Sequence, residues 1–148
     1  MTEDQLRALL EDVRSGATDV DAALHRVRHL PFEDLGFAKV DHHRALRHGI
    51  PEVIFGLGKT VDHVVAIAGK LLARADNVLI TRATPAMAER VLLELPEGEY
   101  FPTSGAIRFW RNRAFHGKGK IAVVCAGTSD IPVAEEAQVT AEVMGNEV

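Results

Sequence analysis

Between residues 52 and 95 the chain alternates twice between a short apolar run and a helical stripe, and that alternation limits the fold more than any other feature. EVIF (Glu52–Phe55) is a β-rich run bounded by glycine, and Thr60 then opens a segment with Val61, Val64, Val65, Ala68, Leu71, Leu72 and Ala75 on one helical face. NVLITR (77–82) is a second β-rich run. Thr84-Pro85 follows it as an N-cap with proline at the first helical position, and Met87, Ala88, Val91, Leu92 and Leu95 form the next stripe. Strands that alternate with helices of this length build an α/β layer structure. Two further short strands are expected between Tyr100 and Trp110, joined by Pro102-Thr103-Ser104-Gly105.

Upstream, Thr2 and Gln5 have capping-box spacing, and Leu6, Leu9, Leu10 and Val13 repeat with helical period as far as Gly16. A second helix starts at Thr18 with Val20, Ala23, Leu24 and Val27 as its stripe, and Pro31 ends it. FAKVD (37–41) reads as a strand and HHRALRHG as a short helix closed by Gly49. The run GLGKT ends like a phosphate-binding P-loop. That loop, however, requires a glycine five positions before Gly58, where this chain has Val53, so Thr60 is read as a helix cap at a strand-to-helix turn. The first domain is therefore expected over 1–116, a helical hairpin at 2–30 followed by an α/β part at 36–112.

His116-Gly117-Lys118-Gly119 has the composition of a linker, and a second domain is expected over 117–148. Ile121 to Ala126 is a continuous apolar run, as expected of a parallel strand covered on both faces. Gly127-Thr128-Ser129-Asp130 is a turn, and from Pro132 a helix follows with Val133, Ala137, Ala141 and Met144 in register. Gly145-Asn146-Glu147-Val148 reads as the C-cap of that helix and the first residues of a next strand. One strand and one helix cannot cover a sheet, so this domain is expected to be the start of a larger one, cut off at Val148. A strand that hands over to a helix through small hydroxyl residues forms an anion site, because the helix dipole and free N–H groups converge there. Thr128 and Ser129 would donate to a phosphate and Asp130 would accept from a ribose. The alternative is that Ser129 and Asp130 serve only as caps.

The 148 residues carry a formal charge of −4 and 47% apolar residues, a balance that suits a globular core and speaks against a nucleic-acid surface. The run from Ile107 to Lys120 interleaves Arg108, Arg111, Arg113, Lys118 and Lys120 with Phe109, Trp110 and Phe115. It is read as an aromatic element anchored in a core with a solvated basic face, its arginines at the surface or an interface. A single cysteine, Cys125, leaves no intramolecular disulfide and suits a reducing cytoplasm. The acidic amphipathic start lacks the form of a secretory signal, and no apolar run approaches the ~18 residues of a membrane span. Asp41, His42, His43 and His48 lack the spacing of a metal site, because adjacent histidines point apart.

DLGFAKVDHHRALRHGIPEVIFGLGKT and VVCAGTSDIPVAEEA, in that order and separation, resemble the N-terminal signature and the opening of the PurE-like domain of the LarB family. The resemblance implies a small N-terminal α/β domain followed by the first β-α unit of a flavodoxin-like parallel-sheet domain. It implies an enzyme of nickel-pincer cofactor synthesis, a pyridinium-3,5-biscarboxylic acid mononucleotide synthase. Such an enzyme carboxylates the pyridinium ring of nicotinic acid adenine dinucleotide with CO2 and hydrolyses the phosphoanhydride to release AMP. CO2 is then a co-substrate, Mg2+ an admitted accessory ion, and no cofactor is tightly bound. Ala126, Gly127, Thr128, Ser129, Asp130 and Ile131 become the phosphoribosyl cradle. Lys39, Asp41, His42, Arg44 and Lys59 are candidates for substrate or interface contact. The resemblance places the family's catalytic cysteine in a later region of the PurE-like domain, beyond Val148; Cys125, inside an expected buried strand, is read as inert. The resemblance also implies homo-oligomers, octameric in full-length assemblies, and this chain by itself is expected to be catalytically silent. Two alternatives stand beside this reading, a PurE-type aminoimidazole ribonucleotide mutase and a non-catalytic nucleotide-binding or oligomerisation module.

Overall fold

The structure, a computed structural model, describes residues 3–28, 32–41 and 52–148. These fall into two compact units, residues 1–52 and residues 53–148.

In the first unit, α1 (Glu3–Ser15) and α2 (Val20–Arg28) form a hairpin that buries Leu9 and Ala23 and leaves Leu10, Val20 and Leu24 exposed. Gly16 turns the chain at φ 78, a conformation that costs glycine little. The second helix is capped by Asp19, which accepts from the Ala22 N–H at 2.7 Å, one residue later than the Thr18 start read from the sequence. The strand expected at 37–41 is shorter. Residues 36–38 make a turn, and β2 (Lys39–Asp41) pairs antiparallel with β1 (Phe32–Asp34), a strand that sequence reading did not find. The helix expected at HHRALRHG lies outside the described residues, as does the Thr2 cap.

The second unit is a four-stranded mixed sheet in the order β3-β4-β6-β5, formed by β3 (Val53–Phe55), β4 (Asn77–Thr81), β5 (Glu99–Phe101) and β6 (Ala106–Trp110). The β3/β4 pair is parallel, joined by α3 (Val61–Leu72); the β4/β6 and β5/β6 pairs are antiparallel. Thr60 caps α3 by accepting from the His63 N–H, and Thr84 caps α4 (Pro85–Glu94) by accepting from the Met87 N–H, each at 3.2 Å. Gly56 is forced by proximity: its N–H donates to the Thr81 carbonyl at 2.7 Å, and a Cβ there would stand 3.0 Å from that oxygen.

Because side chains alternate along a strand, the sheet has two distinct faces. One carries Ile54, Val78, Ile80, Ile107 and Phe109, all at most 3% exposed, and lies with buried residues of α3 (Val64, Ile67, Ala68, Leu71) and α4 (Met87, Ala88, Val91). The other face carries Leu79 and Ala106, and here a fifth helix, α5 (Ile131–Val143), packs Val139 and Val143, with Val53 and Phe101 at the margin. The buried face of α5 is thus the Val139/Val143 side, whereas the stripe expected to be buried begins with Val133, which is 59% exposed. The helix carries apolar residues on both faces, and the face that also bears Glu135 and Glu142 is the one that meets donors on the sheet.

The apolar run 121–126 also departs from expectation. It belongs to no strand, and all of its residues are exposed, Val124 at 89%. A parallel strand needs neighbours to satisfy its N–H and C=O groups on both sides. What this segment has is a single bridge, with the Ile121 N–H donating to the Glu147 carbonyl at 2.8 Å. The same bridge corrects the strand expected to begin at 146–148. Gly145 ends α5 in the left-handed region at φ 81, as a C-cap does, but Glu147 makes only the isolated parallel bridge to Lys120 and Val148 is exposed and in no strand.

Candidate functional site

Thr128–Asp130 forms one turn of 3-10 helix and runs directly into α5. The Asp130 N–H donates to the Gly127 carbonyl at 3.0 Å, and the Asp130 carboxylate accepts in return from the Gly127 N–H at 3.3 Å. Asp130 therefore closes the turn on itself, while Ala126, Thr128, Ser129 and Ile131 stand exposed around it. Cys125 is exposed as well, which corrects the expectation of a buried strand thiol.

Contacts along α5 fix where this corner sits. Near its start, Glu135 accepts from the Ser104 N–H in the β5–β6 turn at 2.8 Å, and Glu136 pairs with Arg82, just past the end of β4, at 3.0 Å. Near its end, Glu142 pairs with Arg108, and Asn77 at the start of β4 donates to the Val143 carbonyl at 3.1 Å. The helix thus runs opposite to β4, and its N-terminus lies at the carboxyl end of the parallel pair β3/β4. The capped N-termini of α3 and α4 lie at that same end, at Thr60 and Thr84. Each brings the positive end of a helix dipole and unpaired first-turn N–H groups. Lys59, half-buried in the turn that leads into α3, adds formal positive charge, whereas that of Arg82, half-exposed, is matched by Glu136, and Asp130 and Glu135 bring carboxylates to the same end. In open α/β sheets ligands bind beyond the carboxyl ends of parallel strands. Three helix N-termini share this end of the sheet.

Of the residues singled out from sequence, Lys59 and the 126–131 corner share one unit and one end of its sheet. Lys39 and Asp41 belong to β2 of the other unit, and His42 and Arg44, with His43 and His48, lie outside the described residues. The single thiol of these 148 residues is the exposed Cys125. Among the described residues, no group of three or more His, Cys, Asp or Glu side chains is arranged to hold a metal ion.

Sequence reading missed Arg82 and misplaced Arg108. Arg82 has φ +56, the left-handed region that favours glycine, which aims its side chain across the sheet edge toward Glu136. TRATP at a strand end was its one signal. Arg108, taken for a surface or interface arginine, has a side chain only 10% exposed. It sits between the rings of Phe101 at 4.9 Å and Trp110 at 4.4 Å and pairs with both Glu99 and Glu142. Its place on the α5 face of β6, beside Ala106 and Trp110, was legible from period two once the strand was known. Arg113 stacks on the same Trp110 ring at 5.1 Å. Arg111 forks onto Glu97 and donates to the Leu72 carbonyl at the end of α3 at 2.6 Å. The hydrogen bond from Arg111 holds the Glu97 carboxyl below its ordinary range, and Glu97 in turn raises Arg111 further.

No helix among the described residues is long and apolar enough to cross a membrane. Residues 32–111 match the model of the LarB/PurE-like N-terminal domain, a match that ends one residue past β6 and leaves α5 outside it. An uncharacterised protein of the archaeon Methanocaldococcus jannaschii is 30% identical over 151 residues, covering 96% of this chain. The chain spans 58% of that relative's length. With more than half of its residues inside the matched domain, the chain belongs to the family of LarB/PurE-like N-terminal domains.

Proposed function

We propose that this chain serves an enzyme that carboxylates the pyridinium ring of nicotinic acid adenine dinucleotide with CO2 and hydrolyses its phosphoanhydride, releasing AMP. The observation that carries the reading is the convergence of the Thr128–Asp130 corner with the N-termini of α3 and α4 at the carboxyl end of β3/β4. A dinucleotide has two phosphates, and this end of the sheet offers donors for both. The 126–131 corner takes the phosphate of the pyridine half, with Thr128 and Ser129 as donors and Asp130 facing a ribose. Lys59, at the head of α3, faces the phosphate of the adenylate half. The family supports the choice of a pyridine nucleotide over other phosphorylated ligands. An electron-poor ring must gain a nucleophile before its carbon can attack CO2, and a thiolate is the fitting group.

The reaction is tested on the longer M. jannaschii relative, supplied with nicotinic acid adenine dinucleotide, bicarbonate and Mg2+, with AMP followed by chromatography. AMP release that requires bicarbonate is expected. Absence of AMP alongside turnover of aminoimidazole ribonucleotide would overturn the reading. For this chain, calorimetry with nicotinic acid mononucleotide and AMP tests the site, and T128V with S129A is expected to weaken binding about tenfold, the loss of one to two hydrogen bonds to a charged group.

A further inference from the structure

We infer that Arg108 is a positioning residue for the Thr128–Asp130 corner, acting through α5; the inference rests on the reading of that corner as a phosphate site. The seat of α5 on the sheet has a small apolar part, since Val139 and Val143 are its buried residues. Apolar contact is non-directional and leaves a helix free to slide or roll. Direction comes from four polar contacts: three carboxylates, Glu135 held by the Ser104 N–H, Glu136 by Arg82 and Glu142 by Arg108, and the Val143 carbonyl, which accepts from Asn77.

Arg108 is set apart from the other donors. Its planar fork is stacked between Phe101 and Trp110 and tied by its second terminal nitrogen to Glu99, while its Nε is buried with no hydrogen-bond partner. The Glu142 side chain it meets is 19% exposed and its other oxygen accepts from Gln138 Nε2 at 3.1 Å, so removing Arg108 takes away the cationic partner and leaves the carboxylate one neutral donor from its own helix. A shift of this end of the helix rehydrates that charge. Glu142 lies about 18 Å from Asp130 along the axis, at ~1.5 Å per residue, and α5 is uninterrupted between them. A roll at one end therefore re-aims the Thr128 and Ser129 hydroxyls at the other.

The test pairs amide hydrogen exchange with the affinity for nicotinic acid mononucleotide in wild type, R108M and R108K. In R108M we expect exchange across 131–143 to rise about tenfold while 61–72 and 77–81 stay protected, and affinity for that mononucleotide to fall about tenfold. R108K, which keeps the charge without the fork, should lie between. Because Trp110 is the single tryptophan and stacks on Arg108, the mononucleotide should also change the emission of wild type and leave that of R108M unmoved. Unchanged exchange over 131–143 overturns the inference. So does raised exchange with wild-type affinity, which would make Arg108 merely structural. A wild type that binds no nucleotide instead removes the phosphate reading, and the inference with it. Should R108M lose protection throughout, R108K, which keeps a charge beside Glu142 without the fork, answers the same question with the same signs.

Discussion

Thr84 connects sequence to chemistry in a single side chain. Its hydroxyl accepts from the Met87 N–H, Pro85 presets the first helical φ, and together they begin α4 immediately after the strand end that carries Arg82. Thr84→Ala is expected to lower stability by about 1 kcal/mol, read as a shifted denaturant midpoint at unchanged slope. Glu97 offers a pH-dependent counterpart. Arg111 lowers its folded pKa below the unfolded value, so the pair stabilises the fold above the ordinary carboxylate range and that contribution is lost as pH falls through the lowered value. Both side chains are more than two-fifths exposed, and exposed pairs are screened, so about 1 kcal/mol is the ceiling. Glu97→Gln should lower stability at neutral pH by up to about 1 kcal/mol, leave it unmoved below the lowered pKa, and so flatten the acid limb of the stability curve. At this scale the sequence was readable where a side chain acts on its own neighbours, as Thr60 and Thr84 do. It was unreadable where a partner comes from far along the chain, as Glu142 does for Arg108.

Among elements, α3, β4 and α4 were legible because each carries its whole signal locally, a cap, a period and a stop. The β1/β2 hairpin was half-legible: with three-residue strands, period two has almost nothing to act on. Residues 121–126 show the limit most plainly. An apolar run reports what a segment would do if covered, and the covering is a property of other segments. Two substitutions separate these cases. Phe109 is fully buried between α4 and the sheet, with its ring near Leu92 around Gly98, so Phe109→Ala should cost about 3–5 kcal/mol. Val124, 89% exposed, should tolerate Val124→Ser within about 0.5 kcal/mol. A cost of several kcal/mol there would mean that the segment is a covered strand after all. The same logic explains α5: the stripe expected from sequence was Val133, Ala137, Ala141 and Met144, whereas the face with Val139 and Val143 is the one whose carboxylates meet the sheet's donors, Arg82, Ser104 and Arg108.

On the scale of the molecule, the candidate site was half-visible. The corner at 126–131 could be found as a hydroxyl-rich turn before a helix, but its company could not, since Lys59, Arg82 and Ser104 reach the same end of the sheet through strand order. That order, with β6 inserted beside β4, follows from no local pattern. It also places α5 on the sheet whose strands lie within the matched domain, although α5 itself lies beyond the match. The residues that close the core of the second unit all lie within 53–148: Leu79, Ala106, Val139 and Val143 on one side, Val64, Val91, Ile107 and Phe109 on the other. A fragment of 53–148 should therefore unfold cooperatively on heating, with near-native helix content by circular dichroism, and V139A should lower its midpoint. A fragment of 53–112, which lacks α5, exposes Leu79 and leaves Arg108 without Glu142; it should melt broadly and bind an apolar dye. Equal cooperativity in the two fragments would show that α5 contributes nothing to the core, and the corner it carries would then have no fixed place beside Lys59 and Arg82.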